Sequence, residues 1–161
     1  MKKIVPCLWL DNQAEDAAKF YVSIFKDSKI RGVTRYGKEG HEIHQKEAGS
    51  AMIVEFEIEG QEFVALNGSP VVKFNQAISF QVFCMTQMEV DYYWDKLSEG
   101  GEEGQCGWLK DRYGVSWQII PEVLTKMLQD KDARRTESVM KALLQMRKLD
   151  IADLKRAYDQ P

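Results

Sequence analysis

Two histidines, His41 and His44, are the first candidates for chemistry, and they lie three positions apart in the stretch GHEIHQKE. Glu42 and Glu47 lie beside them, so imidazole and carboxylate groups that can bind a divalent ion are close in sequence. The spacing differs from the HExxH pattern of zinc enzymes, and the surrounding residues are typical of a loop. We therefore expect a solvated loop here rather than a metal site.

The three cysteines, Cys7, Cys84 and Cys106, are candidates for nucleophilic chemistry. Each lies in or beside an apolar run, and no pair has CxxC spacing. This usage is typical of buried, reduced thiols in a cytoplasmic protein, which is what we expect. A Cys–His pair would require one of them to meet the histidine loop, and nothing in the sequence indicates that.

Neutral polar side chains inside strand-like runs form a further set of candidates. Gln118 interrupts VSWQII, Ser79 and Gln81 lie in AISFQVF, and Asn67 ends EFVALN. Together with Trp108, which precedes the last strand, such groups can hold an uncharged or weakly polar molecule by a few hydrogen bonds and an aromatic wall. In a closed core they would instead satisfy one another, and the sequence leaves both interpretations open.

The elements that must position these side chains occur twice. Short apolar or alternating runs predict strands, and helical spacing of small and aromatic residues predicts a helix after the first strand of each half, with Asp11 or Asn12 as the first N-cap and Thr86 as the second. The predicted order is strand, helix and further strands, repeated after about 70 residues. We expect a module at about 1–70, a second at about 76–122, and a helical extension over 123–161.

Composition limits the partners of this chain. A net charge of −3 gives no electrostatic footprint for nucleic acid or an anionic membrane. The apolar run before Asp11 is too short for a signal peptide or a membrane span. We therefore expect a cytoplasmic protein that binds neither nucleic acid nor membrane.

The repeated strand–helix–strand pattern, with an Asp-x-x-Gly turn before the last strand, resembles the vicinal oxygen chelate superfamily of glyoxalases, bleomycin-resistance proteins and extradiol dioxygenases. The stretches PCLWLDNQAEDAAKFYVSIF, ALNGSP, FNQAISFQV and GEEGQCGWLKDRYGVSWQIIP resemble its PhnB-like subgroup, labelled 3-demethylubiquinone-9 3-methyltransferase domain. The resemblance covers roughly residues 3–122. It implies an α+β fold in which two βαβββ modules form a curved mixed sheet, or cup, and it implies a homodimer.

The resemblance also implies where a metal would bind. In the metal-dependent relatives, His or Glu side chains on the first and last strands of each module hold a divalent ion. The matching positions of this chain fall near Pro6, Ala65, Ser79 and Gln118, none of which is an effective ligand for zinc, nickel or iron. The methyltransferase label has no visible basis either, because the first strand-to-helix turn, LDNQAED, lacks the glycines of a nucleotide-binding turn.

Strand alternation predicts which side chains line the cup if Gln118 faces inward. The predicted inward set is Phe63, Ala65, Asn67, Ser79, Gln81, Phe83, Ser116, Gln118 and Ile120.

The sequence thus predicts a metal-free protein, without cofactor, that binds a small aromatic or weakly polar molecule through Asn67, Ser79, Gln81, Trp108 and Gln118. It identifies no catalytic residue. One alternative is a divergent metal-dependent lyase or dioxygenase, with His41 or His44 beside Glu55 or Glu57, or a methyltransferase as the label suggests. Another is an interaction module whose helical extension binds a partner.

Overall fold

The computed structural model describes residues 2–161, which divide into two units, one ending at Lys73 and the other running from Phe74 to Pro161. The first unit contains β1 (Cys7–Leu10), α1 (Ala14–Ile24), β2 (Lys29–Arg35), α2 (His41–His44), β3 (Ala51–Ile58) and β4 (Gln61–Asn67). The second contains β5 (Phe80–Cys84), α3 (Gln87–Ser98), β6 (Glu102–Glu103), β7 (Trp108–Lys110), β8 (Ser116–Pro121), α4 (Glu122–Leu128), α5 (Ala133–Leu143) and α6 (Ile151–Asp159).

The two units repeat one topology. The sheet order is β1-β4-β3-β2 in the first unit and β5-β8-β7-β6 in the second. In each sheet the first strand pairs in parallel with the last one, and the remaining pairs are antiparallel. This confirms the predicted α+β fold built from two βαβββ modules. Parallel pairing of the first and last strands requires a helical crossover, which α1 and α3 supply.

The first sheet buries one face against α1. The Tyr21 ring of the helix stacks on Phe56 of β3, with 5.9 Å between the ring centroids, and Phe56 stacks on Phe63 of β4 at 5.3 Å. Ala14, Ala17 and Ala18 of α1 are fully buried, since small side chains let the helix approach the aromatic layer closely.

The same stack shows that the facing predicted for β4 is wrong. Phe63, Ala65 and Asn67 are buried on the helix side of the sheet, whereas Val64 and Leu66 are partly exposed on the other side. The strand is apolar at both parities, so alternation alone does not determine which set faces the helix. The aromatic layer determines which face of β4 packs against the helix, because only Phe63 can extend the stack.

Asn67 is a structural cap for α1. Its side-chain Oδ1 accepts a hydrogen bond from the backbone N–H of Ala14 at 2.9 Å, and its Nδ2 donates to the carbonyl of Ala51 at 3.0 Å. Asn67 is only 4% exposed, and a buried amide without hydrogen bonds would destabilise the fold. These two bonds remove that cost. The first turn of the helix is thereby tied to the last residue of β4.

The predicted caps Asp11 and Asn12 are therefore wrong. Residue Gln13 occupies the cap position without a side-chain hydrogen bond to the helix. The side-chain oxygens of Asp11 and Asn12 instead accept hydrogen bonds from the ammonium group of Lys46, each at 2.8 Å. A cap supplied from 53 residues away leaves no local signal in the sequence.

In the second unit, α3 begins as the sequence predicts. The Thr86 side chain accepts from the backbone N–H of Glu89, and the Glu89 carboxylate accepts from the backbone N–H of Thr86, which is a capping box. Val90, Trp94 and Leu97 then bury one face of the helix against the second sheet.

The hairpin between β7 and β8 is organised by the buried carboxylate of Asp111. Its Oδ1 accepts from the backbone N–H groups of Tyr113 and Val115, and its Oδ2 accepts from the indole N–H of Trp117 at 2.8 Å. Asp111 is 2% exposed. The three N–H donors offset the free-energy cost of burying its carboxylate. This confirms the interpretation of DRYG as a turn, and it fixes the start of β8.

The helices after Pro121 form a small core of their own within the second unit. Their buried residues are Leu124, Met127, Val139, Leu143, Leu149 and Leu154, and Cys106 and Ile120 of the sheet region pack against them. Asp132 and Asp150 cap the last two helices with their side chains. Within residues 2–161, every helix is too short or too polar to cross a bilayer.

The cap from Asn67 predicts a stability defect on its removal. We expect Asn67→Ala to lower the free energy of unfolding by about 2 kcal/mol, since it removes two buried hydrogen bonds and leaves the Ala51 carbonyl unsatisfied. Urea denaturation followed by circular dichroism measures the change. Gln61→Ala, an exposed change on the same strand, should leave the midpoint nearly unaltered, and equal effects of the two variants would contradict the assigned role.

Candidate functional site

The registers of the second sheet place three candidate residues side by side. Gln81 of β5 lies opposite Gln118 of β8, and Gln118 lies opposite Trp108 of β7. Residues directly opposite on neighbouring strands extend their side chains on the same face of a sheet. Val82 and Ile119, at the alternate positions, are buried on the α3 side. The three candidates therefore share the face of the sheet opposite α3, here called the open face.

The polar side chains on the open face form one hydrogen-bonded row. The Nε2 of Gln81 donates to the Oε1 of Gln118 at 3.4 Å, and the Nε2 of Gln118 donates to the hydroxyl of Ser79 at 2.8 Å. The structure thus brings together Ser79, Gln81 and Gln118, which lie up to 39 positions apart in the sequence. The 2.8 Å bond to Ser79 orients the part-buried Gln118 amide, whereas the 3.4 Å bond from the exposed Gln81 is weaker.

The ends of the row and the adjacent Trp108 indole have unused hydrogen-bond donors and acceptors. Across residues 2–161, the hydroxyl of Ser79 accepts from Gln118 but donates to no protein group, and the Oε1 of Gln81 accepts from none. The indole N–H groups of Trp9, Trp94 and Trp117 all bind protein oxygens. The indole of Trp108, which is only partly exposed, makes no such bond in the described chain.

The hydroxyl of the neighbouring Ser116 has no hydrogen-bond partner among the described residues. The Oγ of Ser116 is the one buried side-chain oxygen or nitrogen of residues 2–161 that lacks a hydrogen-bond partner, and the residue is 2% exposed. Ser116 precedes Gln118 by two positions on β8, so both face the same side. An unsatisfied buried hydroxyl is uncommon in native proteins.

Apolar groups complete the open face. Phe83 and Ile120 lie opposite each other one pair beyond the glutamines, and Phe83 is 53% exposed. The charged side chain nearest in register is Lys110, whose ammonium binds Glu102 at 2.8 Å on the adjacent edge strand. The polar row itself carries no formal charge.

Asn67, the remaining predicted ligand-binding residue, does not share this arrangement. It belongs to the first unit, lies on the helix side of its own sheet, and uses both ends of its amide in the protein. Asn67 is therefore not part of the candidate site.

The histidine stretch forms the short helix α2 rather than an open loop. The Nδ1 of His44 accepts from the backbone N–H of Lys46 at 2.9 Å, its Nε2 lies 3.2 Å from the carbonyl of Glu39, and its ring packs on Tyr36 at 4.4 Å. Both ring nitrogens thus face backbone groups. His41 is exposed and contacts the ring of His44 edge-on.

A cavity of about 960 Å³ lies beside α2, lined in part by Trp9, Tyr36, His44 and Lys46. Two of the hydrogen-bond donors that line it, the Lys46 ammonium and the Trp9 indole, are already engaged within the protein. The Lys46 ammonium binds three oxygens of Asp11 and Asn12, and the indole N–H of Trp9 binds the carbonyl of Ser69. It has the volume for a ligand, but these groups offer no unused donor like those on the open face.

The residues present do not fit a catalytic metal. Among residues 2–161, no three His, Cys, Asp or Glu side chains lie close enough together to hold an ion. Glu57, proposed as a partner for the histidines, is instead paired with Arg31 at 3.2 Å. At the positions matched to the metal ligands of relatives, Ala65 faces the helix and Gln118 is committed to the amide row.

Two of the three cysteines have raised thiol pKa values. Burial raises the pKa of Cys84 to about 12, with a smaller contribution from the nearby Glu89 and Glu122, so the thiol is protonated at neutral pH. Partial desolvation also raises the pKa of Cys7. The side chain of Cys7 is exposed, so the expectation that all three thiols are buried is wrong at that position.

Comparison with solved structures places the chain in a known group. A putative 3-demethylubiquinone-9 3-methyltransferase, PhnB protein, from Bacillus cereus is 32% identical, with a TM-score of 0.67 over 74% of this chain and 99% of that one. A protein from Pseudomonas aeruginosa (18% identity, TM-score 0.60, coverage 76% and 98%) shares the fold. So does the fosfomycin resistance protein FosX of Listeria monocytogenes (16%, 0.52, 80% and 98%).

Sequence comparison agrees with this placement. No curated protein matches the chain. A family model described as 3-demethylubiquinone-9 3-methyltransferase matches residues 2–120, which include both sheets but not the helices from Glu122 onward. The chain therefore belongs to this PhnB-like family within the vicinal oxygen chelate superfamily.

Proposed function

We propose that this protein binds a small, uncharged, planar molecule on the open face of its second sheet, without a metal ion, and that it acts as a homodimer. The observation that carries the ligand proposal is the oriented row of Gln81, Gln118 and Ser79 beside a Trp108 indole with an unused N–H. Sedimentation velocity is the direct test of the homodimer.

The chemistry of the row selects the ligand class. The row offers amide and hydroxyl groups and no charge, and the neighbouring Lys110 is already paired with Glu102, so a charged ligand would lose hydration with little ionic compensation. The free donors of Ser79 and Trp108 suit a carbonyl or hydroxyl oxygen, and the free Oε1 of Gln81 suits a hydroxyl or N–H. The flat faces of Trp108 and Phe83 suit an aromatic ring.

The methyltransferase wording of the family description does not carry over to this proposal. The strand-to-helix turns after β1 and β5 are LDNQA and CMTQM, neither of which contains the glycines that let a backbone approach a nucleotide. The binding proposal needs only the neutral groups that are present. Product formation from S-adenosylmethionine would favour the transferase alternative.

Ligand binding should depend on the amide of Gln118. We expect some neutral aromatic ketone or phenol, with 4-hydroxyacetophenone as the first probe, to raise the melting temperature of the wild-type protein. Gln118→Leu keeps the side chain's approximate size but removes both hydrogen bonds of the row. It should weaken binding by about tenfold or more, measured by isothermal titration calorimetry.

Gln61→Leu is the matched control, because Gln61 is an exposed glutamine in the first unit whose amide binds only the Glu62 carbonyl. It should bind the probe as the wild type does. If Gln118→Leu also binds with unchanged affinity, the open face is not the site. If no neutral aromatic ketone or phenol stabilises the wild-type protein, the ligand class is wrong.

Binding should also be independent of divalent ions. We expect dialysis against EDTA to leave the affinity for the probe and the melting temperature unchanged, because the site uses neutral amide, hydroxyl and indole groups. Elemental analysis of the purified protein should give far less than one equivalent of metal per chain. One tightly held ion per chain, with binding lost on chelation and restored by the metal, would favour a metal-dependent lyase or dioxygenase instead.

A further inference from the structure

The position of Trp108 depends on a tight turn with unusual backbone geometry. The N–H of Trp108 donates to the carbonyl of Gln105 at 3.0 Å, which closes a turn over residues 105–108. Both central residues have positive φ, 57° at Cys106 and 81° at Gly107. Glycine adopts this region freely, but cysteine does not, so the turn at Cys106 needs support from its surroundings.

The C-terminal extension, residues 123–161, supplies that support. The N–H of Cys106 donates to the carbonyl of Met146, and the N–H of Gly107 donates to the carbonyl of Arg147, both at 2.8 Å. These are the central N–H groups of the turn, which would otherwise point away from the hairpin and depend on water. The segment between α5 and α6 therefore holds the turn through its backbone.

Side-chain packing leaves the turn little freedom at Gly107. A Cβ at this position would lie 2.7 Å from the carbonyl oxygen of Ile119 and 3.1 Å from the Cδ1 of Leu149. Leu149 is 1% exposed and belongs to the core of the extension. The turn is thus enclosed between β8 and the extension.

Helix α3 anchors the same segment of the extension through Gln87. The Oε1 of Gln87 accepts from the backbone N–H of Ile151 at 2.8 Å, and its Nε2 donates to the carbonyl of Leu149 at 3.1 Å. The Gln87 side chain thereby satisfies two backbone groups at the start of α6. It holds the extension at the position from which it reaches the turn.

Charged contacts reinforce the anchor. The Lys148 ammonium lies 2.9 Å from Asp91 and 3.7 Å from Asp95 on α3, and Arg147 donates to the carbonyl of Glu103 at 3.0 Å. The ammonium of Lys148 is also one cause of the lowered pKa of Asp91. These pairs are partly exposed, so each adds only modestly to the two hydrogen bonds of Gln87.

We propose that the C-terminal extension is a positioning element for the ligand site: anchored to α3 by Gln87, it holds the 105–108 turn and so fixes the Trp108 indole beside Gln118. The family match ends at residue 120, so the extension lies outside the matched residues. The proposal rests on the proposed function for the meaning of Trp108, but its geometric content can be tested without a ligand.

The test uses the whole 161-residue chain and its Gln87→Ala variant, which removes both anchoring bonds. Hydrogen exchange measured by NMR should show the amides of Cys106 and Gly107 exchanging about tenfold faster than in the wild type. The amide of Asp111, bonded to the Val115 carbonyl at the other end of the same hairpin, should keep its rate. The indole N–H resonance of Trp108, assigned with Trp108→Phe, should shift or broaden.

Lys96→Ala is the matched control, because Lys96 lies on the exposed side of α3 and makes no hydrogen bond or ion pair with the described residues. It should change none of these signals. If Gln87→Ala does not fold, Lys148→Ala provides a milder release of the same anchor, and Lys148→Arg should restore the wild-type signals.

Faster exchange at Cys106 and Gly107 together with a changed Trp108 signal supports the proposal. An unchanged Trp108 signal despite faster exchange in the turn overturns it, and so does a uniform rise at all three amides, which would reflect global destabilisation. Failure of 4-hydroxyacetophenone to bind the wild type would count against the proposed function alone. If the wild type binds the probe, unchanged affinity in Gln87→Ala would contradict the positioning role.

Discussion

The pairing of β8 with a strand on each side is the constraint on which the candidate site depends. Parallel pairing with β5 sets Gln118 beside Gln81, and antiparallel pairing with β7 sets it beside Trp108. A shift of β8 by one residue would send Gln118 into the aromatic and aliphatic layer under α3 and bring Trp117 or Ile119 to the open face. The buried Asp111 carboxylate resists that shift at one end of the hairpin, and the 105–108 turn resists it at the other.

The two units use one topology for different purposes. In the first, Asn67 at the end of the last strand is turned inward to cap α1. In the second, Gln118 on the corresponding strand faces away from the helix and joins a row of neutral side chains. The repeated scaffold thus keeps strand order and helix crossover constant, while the polar residue on the last strand differs in role: Asn67 caps a helix, and Gln118 joins the row on the open face.

Much of this arrangement was predictable from sequence because its signals are local. The capping box at Thr86, the Asp-x-x-Gly turn and the alternation on β3 each lie within a few residues, and they give the right elements. Alternation also placed Gln81 and Gln118 on one face, as the structure does. The facing of β4 and the cap from Asn67 could not be predicted, since that strand is apolar at both parities and its cap is remote in sequence. The hydrogen bonds between the extension and the 105–108 turn join backbone groups, so they leave no pattern in the sequence.

The most direct measurement is a two-dimensional ¹H–¹⁵N NMR spectrum of the uniformly labelled protein during titration with 4-hydroxyacetophenone. The account predicts that the side-chain amide signals of Gln81 and Gln118 and the indole signal of Trp108 shift together and saturate at one equivalent per chain. The indole signals of Trp9 and Trp117, whose N–H groups are already bound within the protein, should stay in place. Saturable shifts at Trp9 with none at Gln118 or Trp108 would contradict it, because the ligand would then lie on the first unit.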